Sequence, residues 1–338
     1  MRVSGALSRR AAALLPLFPI AAALAALCVG RIWITPGDML RSLGATLGMA
    51  VESSRQTDMV LWSIRLPRIL MALLVGAGLS ASGCAFQSLF ANPLATPDTL
   101  GVASGASFGA ALGLLMGLGL MGVQAMALAM GMLAVALTYL AGSGRGGRQV
   151  NTVVLAGIMI GSLFTALVSL VKFVADTESQ LPAITYWLMG SLSSAGYSQL
   201  ALGAPPVLAG LALMLLLRWR INLLPLSDDE ARASGVNIAL LRGVTVVCAT
   251  MMTASCVSMC GQVGWVGLLI PHMCRMKFGN NNLALMPASI CTGAGFMVLV
   301  DTLARSASAA EIPISILTAI LGAPFFIMLM RRSGGWRL

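Results

Sequence analysis

Charge is the scarcest commodity in this 338-residue sequence: Asp, Glu, Lys and Arg together make up 9% of it, against about 25% in soluble domains. A water-facing globular surface cannot be built from so little, so a soluble protein is excluded. Lysine is nearly missing. Lys172 follows Val171 and Lys277 follows Met276, so neither stands in the Gly-Lys-[Ser/Thr] setting that cradles nucleotide phosphates, and the chain carries no ATP site of that kind. The single histidine, His272, has no cluster of His, Asp or Glu around it, which leaves hydrolytic chemistry poorly supported. No glycine period points to collagen, and the apolar excess excludes disorder. Seven cysteines are an odd number, and most lie inside apolar runs (Cys28, Cys84, Cys248, Cys256, Cys260, Cys274, Cys291). They read as reduced, buried thiols.

What is present is apolar: 58% of the residues are hydrophobic, enough for roughly ten membrane helices at about 20 residues each. Runs fall at about 11–30, 69–90, 99–118, 120–141, 150–174, 200–217, 243–260, 262–277, 284–304 and 313–330. The sequence is therefore read as an all-α integral membrane protein, one transmembrane domain over 1–338. The least secure divisions are at Gly117-Leu118-Gly119 and near Gly261. Arg9 and Arg10 before the first run give it signal-peptide shape, but without a clear cleavage site it is read as a retained span. With both termini cytoplasmic, fourteen of the 21 Lys and Arg fall inside and seven (31, 41, 55, 65, 68, 172, 305) outside, which follows the positive-inside rule. Five of those seven crowd between Arg31 and Arg68, and that departure needs a cause. The net charge of +10 suits loops beside anionic lipid and calls for no nucleic acid.

Small residues mark packing faces. Gly101, Gly105, Gly109, Gly113 and Gly117 recur every four residues, as do Gly76, Ser80, Cys84 and Ser88 and the pair Gly157/Gly161; such stripes admit another helix at short range. Cys256 and Cys260 share a face near several methionines, which is conceivable as a soft-metal path but more simply read as helix packing. Asp301 is the main acid inside a run, either a partner for Arg305 one turn on or a gating group. In the polar stretch 218–242, Ser227-Asp228-Asp229-Glu230-Ala231-Arg232-Ala233-Ser234-Gly235 opens like a capping box and ends on a glycine stop. It predicts a short cytoplasmic helix, either a plain connector or a handle for a motor subunit.

Arg65-Leu66-Pro67-Arg68 through Gln87, then Asn92-Pro93-Leu94-Ala95 and Leu100-Gly101-Val102, resemble the signature of FecCD-type permeases, the membrane subunits of type II ABC importers for ferric siderophores, haem and cobalamin. Glu230 to Gly235, Gly264 to His272, Asp301-Thr302-Leu303-Ala304-Arg305, Glu311-Ile312-Pro313 and Gly322-Ala323-Pro324-Phe325 continue the resemblance, in order, from about residue 33 to 330.

The resemblance implies a cobalamin-importer-permease-like bundle, a permease dimer of two copies with the pathway between them, separate cytoplasmic ATPase subunits, an external substrate-binding protein, and no cofactor, metal or catalysis in this chain. It implies that Arg65, Arg68 and Arg305 form a basic rim for the binding protein, which would account for the outer charge. It gives Ser227, Asp229, Glu230, Ala231 and Gly235 to ATPase coupling, and Asn92, Leu94, Asn151 and Thr152 to a cytoplasmic gate. A pathway lining without charges is expected, since strong sites would trap a large chelate. The rival readings are an ion-coupled secondary transporter, which would need intramembrane charges and inverted repeats, and a membrane enzyme, which would need an acidic or His-rich metal-binding loop. The cargo stays open among siderophore, haem, cobalamin and oxyanions such as molybdate.

Overall fold

A computed structural model describes residues 9–49, 52–142, 150–226, 230, 233, 235–308 and 310–332. The described residues form helices and connecting turns, with no strand among them. In chain order the helices are α1 (Arg9–Cys28), α2 (Pro36–Thr46), α3 (Arg55–Asp58), α4 (Leu66–Leu89), α5 (Val102–Leu115), α6 (Leu120–Gly142), α7 (Val150–Val174), α8 (Gln180–Leu188), α9 (Tyr197–Leu217), α10 (Ile238–Cys260), α11 (Val266–Phe278), α12 (Asn282–Ala307) and α13 (Ile314–Arg332).

All ten expected apolar runs are helical, but seven helical segments are long and apolar enough to cross a membrane: Ala11–Cys28, Arg55–Leu89, Leu120–Gly142, Thr152–Val174, Tyr197–Leu217, Ile238–Cys260 and Asn282–Ala307. The other three fall short. At 1.5 Å per residue, the 14 residues of α5 and the 13 of α11 reach only about 20 Å of a hydrocarbon layer about 30 Å thick. The expected divisions are both present: Gly117 (φ +69°) separates α5 from α6, and Gly261 (φ +74°) ends α10.

Around α4 the bundle is wrapped tightly, and small residues explain why. Gly76 and Ser80 face Gly293 of α12, Gly78 faces Cys256 of α10 and Val207 of α9, and Gly83 lies against the Gly267 carbonyl of α11. Polar side chains on α4 are spent between helices: Ser82 donates to the Ala249 carbonyl at 3.0 Å and Gln87 to that of Leu268 at 3.2 Å. The glycine stripe of α5 divides its work, with Gly105, Gly109 and Gly113 turned to α6 and Gly101 to Gly157 and Gly161 of α7. Irregular backbone within the bundle is lined by protein, as an apolar surround requires: Ser191 N–H donates to the Cys260 carbonyl at 2.8 Å, and Ile314 N–H to that of Gly190 at 2.9 Å. The seven cysteines are unpaired, and Cys84, Cys248, Cys256, Cys260 and Cys274 are buried.

A β-carbon at Gly83 has no room. Gly83→Val is expected to cost about 1–3 kcal/mol or more and to lower the melting temperature of the detergent-solubilised protein. Gly243→Ala, with no atom within 4 Å of its added carbon, is expected to leave it unchanged or raise it slightly.

Candidate functional site

One end of the bundle is organised by three arginines. α3 runs into a π-helical stretch over Met59–Arg65 and then into α4. Pro67, which lacks an N–H, leaves a carbonyl on the preceding turn without its usual partner, and the ladder widens there, with Leu66 N–H reaching the Leu61 carbonyl. Arg65 thereby turns towards the last turn of α1, donating to the carbonyls of Leu27, Cys28 (3.1 Å) and Ile32. Arg305 of α12 donates to the Ala26 carbonyl. α1 has no basic residue in its own last turn, and these two guanidinium groups supply the cations that its orphan carbonyls favour.

Arg68 is held in a double fork. Its Nε and Nη2 lie 2.9 Å from Asp301 Oδ1, and its Nη1 and Nη2 lie 3.1 Å from the two oxygens of Glu311. Arg305 Nε stands 3.9 Å from Asp301. Asp301 therefore does meet Arg305, but Arg68 is its main partner. Glu311 adopts φ +38°, a conformation that costs a non-glycine residue about 1–3 kcal/mol and is retained where Arg68 grips its carboxylate. Arg65, Arg68 and Arg305 are 3%, 6% and 7% exposed. Two of the five basic residues crowded between Arg31 and Arg68, together with Arg305, thus have an internal role: they cap one helix and fasten two others.

The other end carries the turn after α4. Asn92 N–H donates to the Gln87 carbonyl, and Asn92 Oδ1 accepts from Leu94 N–H at 2.9 Å. Asn92 and Leu94 are exposed there, as is Thr152 in the first turn of α7; Asn151 shares that turn, and its side chain lies outside the described residues. Ser227, Asp229 and Ala231 also lie outside them. Glu230 is helical and exposed, and Gly235 (φ +75°) has the left-handed backbone of a helix stop. Asn237 then caps α10, accepting from Leu240 N–H at 3.0 Å.

Between the two ends lies a crevice of about 360 Å³, lined by Leu79, Thr96, Asp98, Gln262, Trp265 and Ser315 among others. Leu79 sits ten residues from the end of α4 that leads into the Asn92 turn, about 15 Å into the bundle. The chain after Asn92 climbs back to this level and starts α5 from a 3₁₀ turn at Pro97–Leu100, with Asp98 Oδ1 accepting from Ala103 N–H at 3.3 Å. Asp98 is exposed. The run expected at 99–118 thus starts inside the bundle, and its 3₁₀ turn brings a carboxylate to the level of Leu79. An acid exposed to lipid at that depth costs about 2.5–3.5 kcal/mol or more, so this face is turned to water or protein. Among the described residues no group of three His, Cys, Asp or Glu could hold a metal ion.

Breaking the double fork leaves a buried charge unpaired. Asp301→Asn and Arg68→Met are each expected to lower stability by about 3–5 kcal/mol, and the double variant by less than their sum, measured as a double-mutant cycle of melting temperatures.

Comparison with known proteins agrees with this architecture. A family described as the FecCD transport family matches residues 17–332. The chain is 40% identical over 316 residues to the molybdate import system permease protein MolB of Haemophilus influenzae, covering 94% of each chain. It is 36% identical over 316 residues to the vitamin B12 import system permease protein BtuC of Klebsiella pneumoniae, covering 92% of this chain and 90% of that one. A solved structure described as an inward-facing conformation of a metal-chelate type ABC transporter superposes with a TM-score of 0.87 at 38% identity, over 96% of this chain and 100% of that one.

Proposed function

The chain belongs to the FecCD transport family, and from that membership we propose how this permease of an ABC importer works and what it carries. Two copies face each other across the crevice that holds Asp98. A binding protein delivers cargo at the end organised by Arg68, and separate ATPase subunits act at the end that carries Gly235. With 14 of 21 basic residues assigned to the latter side, that side is the cytoplasm and both termini lie there. The protein performs no bond chemistry; ATP hydrolysis belongs to its partner. Ion-coupled secondary transport is not favoured.

In this reading Ser227, Asp229, Glu230, Ala231 and Gly235 form the coupling handle. The capping-box order of the sequence and the left-handed backbone of Gly235 suit an element that transmits a push. Asn92 and Leu94, with Asn151 and Thr152, close the inner end; small and apolar side chains seal without binding. Arg65, Arg68 and Arg305 serve docking through their summed charge. Within this cluster three guanidinium groups against the two carboxylates of Asp301 and Glu311 leave one positive charge in excess; Arg55 lies at the same end with Glu52 and Asp58 close to it in sequence. Acidic lobes of a binding protein fit that potential.

For cargo we propose a metal chelate of the siderophore, haem or cobalamin class. The observation that carries this choice is Asp98, exposed on the crevice at mid-depth. A carboxylate there repels a small oxyanion such as molybdate, whereas a chelate rich in amide or hydroxyl groups, as cobalamin and many siderophores are, can donate to it. ATP hydrolysis in liposomes, with the candidate ATPase and a binding protein loaded in turn with ferric siderophore, haem, cobalamin or molybdate, tests this. Stimulation by one of the first three is expected, and by molybdate alone would overturn the cargo class. The affinity of the binding protein is expected to fall steeply between low and physiological ionic strength; a salt-independent affinity would remove the basic rim.

A further inference from the structure

At the inner end, beside the Asn92 turn, lies a second cavity of about 630 Å³, lined by Gln87, Ser88, Asn92, Asn222, Arg275 and Asn280 among others. Among the described residues Arg275 is the one charged residue in that lining, and no Asp or Glu joins it. Its Nη1 donates to Asn280 Oδ1 at 3.3 Å. Its Nε and Nη2 are shut away from solvent without any hydrogen-bond partner among the described residues. A guanidinium in that state is costly unless an anion meets it.

The floor of the cavity is already built. Asn222 Nδ2 donates to Asn281 Oδ1 at 2.9 Å, the backbone N–H and Nδ2 of Asn282 donate to Asn222 Oδ1 at 2.8 and 3.0 Å, and Asn282 Nδ2 lies 3.1 Å from Ser88 Oγ. These asparagines satisfy one another and hold the shape. The oxygens of Asn92 and Asn280 are engaged as acceptors, so their amide nitrogens remain as donors.

We propose that this cavity binds a tetrahedral oxyanion of the phosphate class, either free in solution or as the headgroup of an anionic phospholipid. Arg275 is its charged anchor, and the amides of Asn92 and Asn280 are neutral donors. The site does not depend on the cargo, and it lies on the side where anionic lipid attracts basic residues.

The test uses the full chain in nanodiscs. In phosphatidylcholine discs, inorganic phosphate is exchanged for chloride at constant ionic strength while melting is followed. In discs containing phosphatidylglycerol, native mass spectrometry counts retained lipid. One saturable anion per chain is expected, with a rise in melting temperature; saturation by phosphate assigns the free ion, and retention of one phosphatidylglycerol assigns the headgroup. Arg275→Gln is expected to weaken binding by about tenfold or more. Lys277→Gln, on the same helix but outside the cavity lining, is expected to keep it. Asn280→Asp supplies an internal counter-ion, and is expected to raise melting in anion-free buffer and abolish the response to added anion. If neither phosphate nor phosphatidylglycerol acts beyond chloride, or if Arg275→Gln binds as well as the parent, the proposal fails. It fails equally if Arg275→Gln loses the ATPase subunit while anion binding is unchanged, because Arg275 would then serve a carboxylate on that partner.

Discussion

An arginine gripped by two carboxylates fixes one end of this bundle. Arg68 joins the start of α4 to Asp301 in α12 and to Glu311 in the turn beyond it, and a buried fork of this kind tolerates little sliding. The two arginines beside it inherit their positions from that fork. Arg65 stands one turn before Arg68, and Arg305 one turn after Asp301, so both reach the closing carbonyls of α1. A single ionic knot thus sets the relative heights of three helices, and the inner end is free to be shaped by weaker, more numerous contacts.

Those contacts are made by absence of bulk. Glycine and serine on α4, α5 and α12 let backbones approach within reach of each other, which replaces the hydrophobic drive that lipid cannot supply. The same economy makes irregular backbone possible at mid-depth: the 3₁₀ turn at Pro97–Leu100 is sheltered by Gly157 of α7 and by Gly267 of α11. Without that shelter its carbonyls and amides would face hydrocarbon, and Asp98 could not sit where it does.

Much of this was legible in the residues. Every apolar run became a helix, because length and composition decide that much, and the breaks at Gly117 and Gly261 fall where a left-handed backbone is needed. The stripe Gly76, Ser80, Cys84, Ser88 marked one contact face, since period four is a local property. What escaped was non-local. Nothing near Arg68 in the sequence announces partners more than 230 residues away, so the burial of Arg65, Arg68 and Arg305 and the grip of Glu311 on Arg68 do not show in it. The re-entry that carries Asp98 inward is invisible for the same reason, because only neighbours brought by the fold satisfy its backbone. Arg275 sits among apolar and basic neighbours in sequence, and its lack of an acidic partner among the described residues is a fact of three dimensions.

The distance that hid Arg68 from a reader also separates it from its partners during synthesis. Asp301 is 233 residues downstream and Glu311 243, so at about 5–20 residues per second a ribosome needs roughly ten to fifty seconds to deliver the first of them. α4 is the most enclosed of the spanning segments, 83% buried against 11% for α1, yet it leaves the ribosome second and waits for almost everything that encloses it. For that interval a cation and several serines must be sheltered by the insertion machinery or held at the membrane surface. Assembly of this permease is in that sense a custody problem: the centre of the bundle is delivered first and has to be kept until the walls arrive.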